Sequence, residues 1–572
     1  MIEKVLSKNI GGLLLLFGCL SARAQQILIN PYSYAIQKKV TCTHGAVVSA
    51  HPIASTVGVS ILQQGGNAVD AAIATQLALA VVYPAAGNIG GGGFMIARLA
   101  SGQNIAIDFR EEAPGKAFKD MYLDSAGNAQ SMLSLNGHLA SGVPGSVAGI
   151  FEALRYARLP LNLLVQPAID LAEKGFTLTA TEASSLNHLQ EDLKKYNTRV
   201  SAFVKTSGWK AGDTLVQKDL AKTLTRIRDQ GAKGFYEGET ARLIAEEMQR
   251  GKGLVSIEDL KKYKAIEREA VVFNYKKEYT IITMPLPSSA GVLLPQMMRM
   301  IEDQPVKSYG FESLKAVHLM TEIERLAYAD RAKWLGDNDF YKVPVKTLIS
   351  YAYVKDRMKL YNPDKAGDSK SIQGGSVRPE STETTHFDVY DQEGNAVSLT
   401  TTLNGGYGSR TVVGGAGFFM NNEMDDFSIK PGVPNTYGAV GAEANAIEPG
   451  KRMLSSMTPT IVLDSGKPYL IVGTPGGTTI TTSVFQTLMD ILEFEMSAED
   501  AVNKPKFHHQ WLPDQLLLER DFPADLKSQL ENMGYKIIQT SSIGRTEVIR
   551  IHPDGKIEAV GDKRGEDTAE GY

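Results

Sequence analysis

Apolar positions four residues apart (Val69, Ile73, Leu77, Val81) run through "NAVDAAIATQLALAVVYP", and alanine fills much of the remaining surface. A helix with so little polar face is buried on several sides, and this one closes before Pro84. "HPIASTVGVSILQQGG" predicts a helix just upstream, stopped by its glycines, and "GAVVSA" before it reads as a buried strand. "GGFMIARLASGQNIAIDFREEAP" alternates on either side of Ser101-Gly102, which signals a hairpin. From about Leu159 to Leu360 the period is mainly helical, and the charge runs "EDLKKY" and "ARLIAEEMQRGKG" read as solvated faces. The texture changes between Tyr361 and Glu383, where almost no apolar residue remains. Such a stretch is expected to be exposed and mobile.

At Thr384 that polar stretch stops abruptly. "HFDVYD", the turn "QEGN" and "AVSLTTTL" predict one hairpin; "TPTIVLD", "SGKP" and "YLIVGTPGG" predict another, followed by the helical "TTSVFQTLMDILEFEMS". Strand hairpins in both halves, each beside buried helices, point to an α+β fold of two stacked sheets covered by helices, an αββα layering.

The chain has 572 residues, 43% hydrophobic and 22% charged, which is ample for a large core. A net charge of -4 gives no reason to expect nucleic acid as a partner. The N-terminus combines Lys4 and Lys8, a short apolar run and Ala22-Arg23-Ala24, the pattern of an export signal over residues 1–24. The run is too short for a comfortable membrane span, and no second apolar stretch is free of polar residues for one. An exported, periplasmic or extracellular protein without a transmembrane span is therefore expected. A lipid-anchored Cys19 is the alternative; Phe17 before Gly18 fits a lipobox poorly. Cleavage after Ala24 would leave Cys42 alone, so no internal disulfide could form. Cys42 reads as a small strand residue.

The common catalytic signatures are missing. Nine histidines are scattered, with only His508 and His509 adjacent, and there is no H-E-x-x-H and no cysteine pair, so no metal is expected. "GNIGGGG" follows a helical pattern rather than a strand, which weakens a dinucleotide reading, and no G-x-S-x-G elbow occurs. What remains is the hydroxyl run at Thr384, Thr385, Thr400, Thr401 and Thr402. Threonine needs something to take its proton. His386 lies two positions along the same strand, on the same face, with awkward geometry for the task; it reads better as a structural strand residue. Alternatively, a cut between Glu383 and Thr384 would make Thr384 an N-terminus. Its own α-amino group, with a pKa of about 7.7–8.0, would then serve as base. Against this stands the plain preference of threonine for strands.

"DFREEAP" (108–114), "TTHFDVYDQEGNAVSLTTTLN" (384–404), "NNEMDDF" (421–427), "KRMLSSMTPT" (451–460) and "GTPGG" (473–477) carry a resemblance across nearly the whole mature chain. In these motifs and their order the sequence resembles the γ-glutamyltranspeptidases, or glutathione hydrolases, of the N-terminal-nucleophile hydrolase superfamily. The resemblance implies a four-layer αββα sandwich with an additional helical region in the large chain. It implies self-cleavage between Glu383 and Thr384 into a large subunit (25–383, ending in the polar segment 361–383) and a small catalytic subunit (384–572). Thr384 would be the nucleophile, oriented by Thr402. Arg110, Ser455 and Ser456 would hold the substrate α-carboxylate, and Asn404, Glu423 and Asp426 its α-amino group. Gly476 and Gly477 would offer N–H groups to the oxyanion, and Tyr437 would close a lid over bound substrate.

The chemistry suits these residue types. A γ-glutamyl group has a free α-amine and a free α-carboxylate side by side, so reading it takes carboxylates for one and a cation with hydroxyls for the other. No cofactor is implied. The partners implied are glutathione and other γ-glutamyl compounds, with amino acid or dipeptide acceptors. Glu423 stands where relatives carry glutamate or glutamine, which leaves substrate preference open. Two rival readings remain: a related amidase such as a cephalosporin (glutaryl) acylase, and an uncleaved, non-catalytic binder of glutamyl compounds.

Overall fold

Residue-by-residue alternation along the strands builds the architecture. In the computed structural model, which describes residues 29–372, 384–430 and 442–572, fourteen strands form two seven-stranded sheets. In chain order they are β1 (Lys39–Cys42), β2 (Ala46–Ser49), β3 (Gly92–Arg98), β4 (Asn104–Asp108), β5 (Ile266–Arg268), β6 (Val271–Tyr275) and β7 (Tyr279–Thr283). The rest are β8 (Thr384–Tyr390), β9 (Ala396–Thr402), β10 (Thr460–Asp464), β11 (Lys467–Gly473), β12 (Glu547–Ile551), β13 (Ile557–Val560) and β14 (Thr568–Gly571). One sheet runs β14-β2-β8-β9-β3-β4-β5 and the other β1-β13-β12-β11-β10-β7-β6.

Each sheet buries both faces. Val48, Phe94, Ile96 and Ala106 of the first meet Ile282, Ile461, Ile471 and Ile549 of the second in an inter-sheet core. The alternate positions Val47, Met95, Phe387, Val389, Val397 and Leu399 face outward under helices α1 (Pro52–Gln63) and α2 (Ala68–Val82), with α3 (Leu161–Lys174) in the same cluster. On the far side, Phe273, Ile281, Val462, Leu470 and Val472 pack with α4 (Ala290–Glu302), α5 (Leu314–Trp334) and α6 (Thr479–Leu492). The fold is thus an α+β sandwich of two stacked sheets between helical layers, as the sequence pattern predicts. Every residue of α2 is buried, and a capping box of Asn67 and Asp70 starts it. Among the described residues, no helix is long and apolar enough to cross a membrane.

One expectation needs correction and another is refined. The largely helical span 159–360 also supplies β5, β6 and β7. The β6–β7 hairpin turns through Lys276 and Lys277 at φ 50° and 60°; glycine and asparagine ordinarily mark such positions, so two lysines hide the turn. The polar stretch from Tyr361, expected to be exposed, is largely so as far as it is described, but it is anchored at two buried residues. Ser369 and Ile372 are buried, the Ser369 amide donates to Asp514 at 2.9 Å, and the Trp511 indole donates to the Ser369 carbonyl at 2.9 Å. The remainder of that stretch, with Glu383, the expected lid residue Tyr437 and the N-terminal segment including Cys19, lies outside the described residues. Cys42 is a buried strand residue, as expected.

Candidate functional site

Thr384 is the first residue of β8 and pairs with Thr402, the last of β9. Strand periodicity puts Thr384, His386 and Asp388 on the face turned toward the second sheet, opposite Thr402, Thr400 and Ser398. The two hydroxyls at the strand ends are 3.4 Å apart, and both residues are buried. His386 is committed elsewhere: Nδ1 lies 2.9 Å from Thr400 Oγ1 and Nε2 lies 2.9 Å from Asp388 Oδ1. It is a structural strand residue rather than a partner of Thr384.

The glycine run beside α2 has a steric explanation. A Cβ on Gly91 would stand 2.0 Å from the Thr402 carbonyl oxygen, and one on Gly93 2.2 Å from that of Thr400. Only bare backbone lets β3 approach β9 this closely. Asn88, from the same run, donates through Nδ2 to the Thr402 carbonyl at 2.9 Å and accepts from the Gly91 amide at 2.9 Å. In the sequence this buttress has no signal beyond the glycine run itself, whose spacing suggests at most a weak dinucleotide motif.

Beyond Thr402 the chain turns through Asn404 at φ 71°. The Asn404 amide donates to Thr402 Oγ1 at 2.8 Å, and its Nδ2 donates to the Asn422 carbonyl at 3.0 Å. That carbonyl precedes Glu423. Arg110, just after β4, lies fully buried against the same turn. Its Nη1 donates to Glu423 at 2.8 Å, its Nη2 bonds Asp426, and its Nε donates to the Met453 carbonyl at 3.3 Å. Arg110, Thr402, Asn404, Glu423 and Asp426 therefore converge, and Met453 brings in the Ser455-Ser456 loop. Ser456 Oγ accepts from Arg331 Nη2 at 2.9 Å. Arg331, on α5, had no sequence signal, since helix α5 reads only as a buried helix.

Glu111 is the other omission. It is fully buried, neither carboxyl oxygen has a hydrogen-bond partner, and it lies 3.5 Å from Arg110 Nη1. Burial pushes both Glu111 and Glu423 up to about 8, against the pull of the Arg110 guanidinium. Three carboxyl groups thus surround one cation. An entering ammonium group would favour the ionised form of the two that burial holds protonated.

Gly476 and Gly477 form the turn between β11 and α6, at φ 137° and 57°. Their carbonyls accept from the Thr479 and Ile480 amides at 3.1 Å, opening the helix. Thr384 and Gly476 both line a cavity of about 490 Å³. The nucleophile candidate, the glycine turn and the Arg110 cluster are thereby gathered at one end of the inter-sheet space, from segments hundreds of residues apart.

Comparison with known proteins points the same way. Residues 54–572 match the family model described as gamma-glutamyltranspeptidase. The chain is 44% identical to the glutathione hydrolase proenzyme of Escherichia coli K12, over the full length of both. Its fold matches a cephalosporin acylase structure from Bacillus halodurans, with TM-score 0.81 and 25% identity over 96% of this chain and all of that one. A Helicobacter pylori gamma-glutamyltranspeptidase structure aligns with TM-score 0.56 and 43% identity, over 60% of this chain and 96% of that one.

Proposed function

The chain belongs to the gamma-glutamyltranspeptidase family, and from that premise we propose how its residues carry out γ-glutamyl transfer and hydrolysis. It is an enzyme made as a proenzyme, of the glutathione hydrolase kind. In the precursor, Thr384 Oγ1 attacks the Glu383 carbonyl carbon, and the peptide C–N bond breaks to leave an ester. Water hydrolyses that ester, giving a large subunit of residues 25–383 and a small one of 384–572 that stay together as one folded unit. The freed α-amine of Thr384 now takes the proton from its own hydroxyl.

In turnover, Thr384 Oγ1 attacks the γ-carbonyl of glutathione or a related compound. Gly476 and Gly477 donate backbone N–H groups to the oxyanion, an interaction worth about 10²–10³ in rate per donor. The γ C–N bond breaks, and the Thr384 ammonium returns its proton to the departing amine. Water or an acceptor amine then resolves the γ-glutamyl ester. Thr402 orients the attacking hydroxyl. Arg110, Ser455 and Ser456 hold the α-carboxylate; Asn404, Glu423 and Asp426 hold the α-ammonium; Tyr437 covers the bound group. The N-terminal segment directs export to the periplasm or beyond.

The observation that carries the reading is the position of Thr384: first in its strand, 3.4 Å from the Thr402 hydroxyl, with His386 engaged elsewhere. The gathering of three carboxyl groups around Arg110 supports an ammonium-bearing substrate. Hydrolysis of a γ-glutamyl anilide against the corresponding glutaryl amide tests it. The expected result is a preference for the γ-glutamyl donor of at least tenfold, since the two differ by the α-ammonium group and its charge-assisted bonds. Equal rates, or faster glutaryl turnover, would replace this reading with the acylase one.

A further inference from the structure

Helix α5 is buried along most of its length, yet it carries Glu324, Tyr328 and Arg331 four and three residues apart, on one face. Each reaches a different part of the site. Glu324 accepts from the Gln486 side chain of α6 and from the His509 amide, both at 2.9 Å. Arg331 donates to Ser456. Between them, the Tyr328 hydroxyl donates to the carbonyl of Thr478, the residue that follows Gly476 and Gly477. Resting on the reading of those glycines as the oxyanion donors, we propose that Tyr328 and Gln510 are positioning residues for their turn. Both act through Thr478, Tyr328 on its carbonyl and Gln510 on its hydroxyl.

The turn needs support from outside. Gly476 and Gly477 sit at φ 137° and 57°, a region glycine enters freely, so the direction of their amides depends on what holds the flanking chain. Upstream, pairing of β11 with β12 fixes the backbone as far as Gly473. Downstream, Thr478 stands at the N-cap of α6, where a threonine hydroxyl ordinarily accepts a helix amide. Here the hydroxyl instead donates to Gln510 Oε1 at 2.7 Å. Gln510 donates through Nε2 to the Leu512 carbonyl at 3.2 Å. That bond turns Oε1 toward Thr478 and toward His508 Nε2, which lies 2.9 Å away.

The two anchors also brace each other. The His508 ring stands edge-on to Tyr328, with centroids 5.5 Å apart. Burial pushes His508 down to about 4, so its ring stays neutral at neutral pH, donating from Nε2 and accepting at Nδ1 from Thr482 Oγ1 at 2.8 Å. Tyr328, Thr478, His508 and Gln510 are all buried, so giving up either bond strands a polar group away from water, which makes the brace stiff. Residues 474–477 are therefore held at both ends, by the sheet on one side and by Thr478 on the other. Their amides keep one direction while charge develops on the substrate oxygen, which is the condition for electrostatic stabilisation without reorganisation.

Two variants remove the anchors one at a time: Tyr328→Phe deletes the hydroxyl alone, and Thr478→Val deletes the donor to Gln510. Either decides the matter if the other fails to fold. Deleting an oxyanion donor costs about 10²–10³ in rate and misplacing one costs less, so kcat for a γ-glutamyl anilide should fall about tenfold in each. KM should stay within twofold, because the γ-glutamyl group is held at the Arg110 cluster. Thr478→Ser, which keeps the hydroxyl, should restore kcat. The γ-boronic acid analogue of glutamate, whose boron bonds Thr384 Oγ1 and becomes a tetrahedral anion, should lose affinity by the same factor as kcat/KM, while glutamate itself binds as in wild type. Wild-type kcat and boronate affinity in a folded variant overturn the inference. Equal losses of boronate and glutamate affinity overturn it too, since they mark general loosening of the site. Wild-type protein that binds the boronate no better than glutamate would overturn the oxyanion reading beneath it, and this inference with it.

Discussion

Replacing Thr402 by valine removes one oxygen from a residue of nearly unchanged shape, and the structure separates the consequences. Thr402 Oγ1 lies 3.4 Å from the Thr384 hydroxyl and accepts from the Asn404 amide at 2.8 Å. Losing the first contact removes one hydrogen bond of about 0.5–1.5 kcal/mol from the nucleophile, which lowers kcat roughly two- to tenfold. Losing the second leaves a buried amide without an acceptor, at about 1–3 kcal/mol. That cost appears as lost stability, and as a raised KM because Asn404 is one of the residues proposed to hold the substrate amine. Thr402→Ser keeps the oxygen and should recover most of kcat. Steady-state kinetics on a γ-glutamyl anilide, with thermal unfolding of the same preparations, reads both effects. A Thr402→Val enzyme with wild-type kcat, or a Thr402→Ser enzyme as slow as Thr402→Val, would refute the assignment.

Glu111 and Glu423 keep their protons to about pH 8 in the folded protein and lose them at ordinary carboxylate values when unfolded. The native state therefore binds more protons between those limits. Stability from these groups is full at acid pH and declines as pH rises through 8. Glu111→Gln should flatten that decline when melting is compared at pH 5.5 and 8.5; an unchanged slope would contradict it. Arg331→Met strips the donor from Ser456 Oγ, and KM for a γ-glutamyl donor should rise about tenfold with kcat little altered; a pure kcat defect would argue against carboxylate positioning. Gly91→Ala sets a methyl 2.0 Å from the Thr402 carbonyl oxygen. It should cost about 1–3 kcal/mol of stability or more and slow turnover, whereas wild-type melting and kcat would show that β3 has room to move.

Period-two alternation in "HFDVYD" and "AVSLTTTL" is enough to pair Thr384 with Thr402 once the turn between them is recognised, so the heart of the site was legible locally. The layered fold followed from the same alternation and from the alanine-rich α2. Arg110 and Glu423 are 313 residues apart, and no periodicity links them; only the family resemblance joined them before the fold was known. Glu111 and Arg331 escaped notice for a different reason. Each looks like an ordinary charged residue until burial removes water from it, and burial depends on neighbours far along the chain. The β6–β7 hairpin was hidden because Lys276 and Lys277 occupy backbone conformations that glycine usually announces.

The central claim, that a single scission converts Thr384 into its own base, is tested most directly by the intact masses of purified wild-type protein and of Thr384→Ala. The account predicts two chains in the wild type, the smaller beginning at Thr384 with a free α-amine, and one unbroken, inactive chain in the variant. A fully active unbroken wild-type chain, or a small chain with a different first residue, would contradict it.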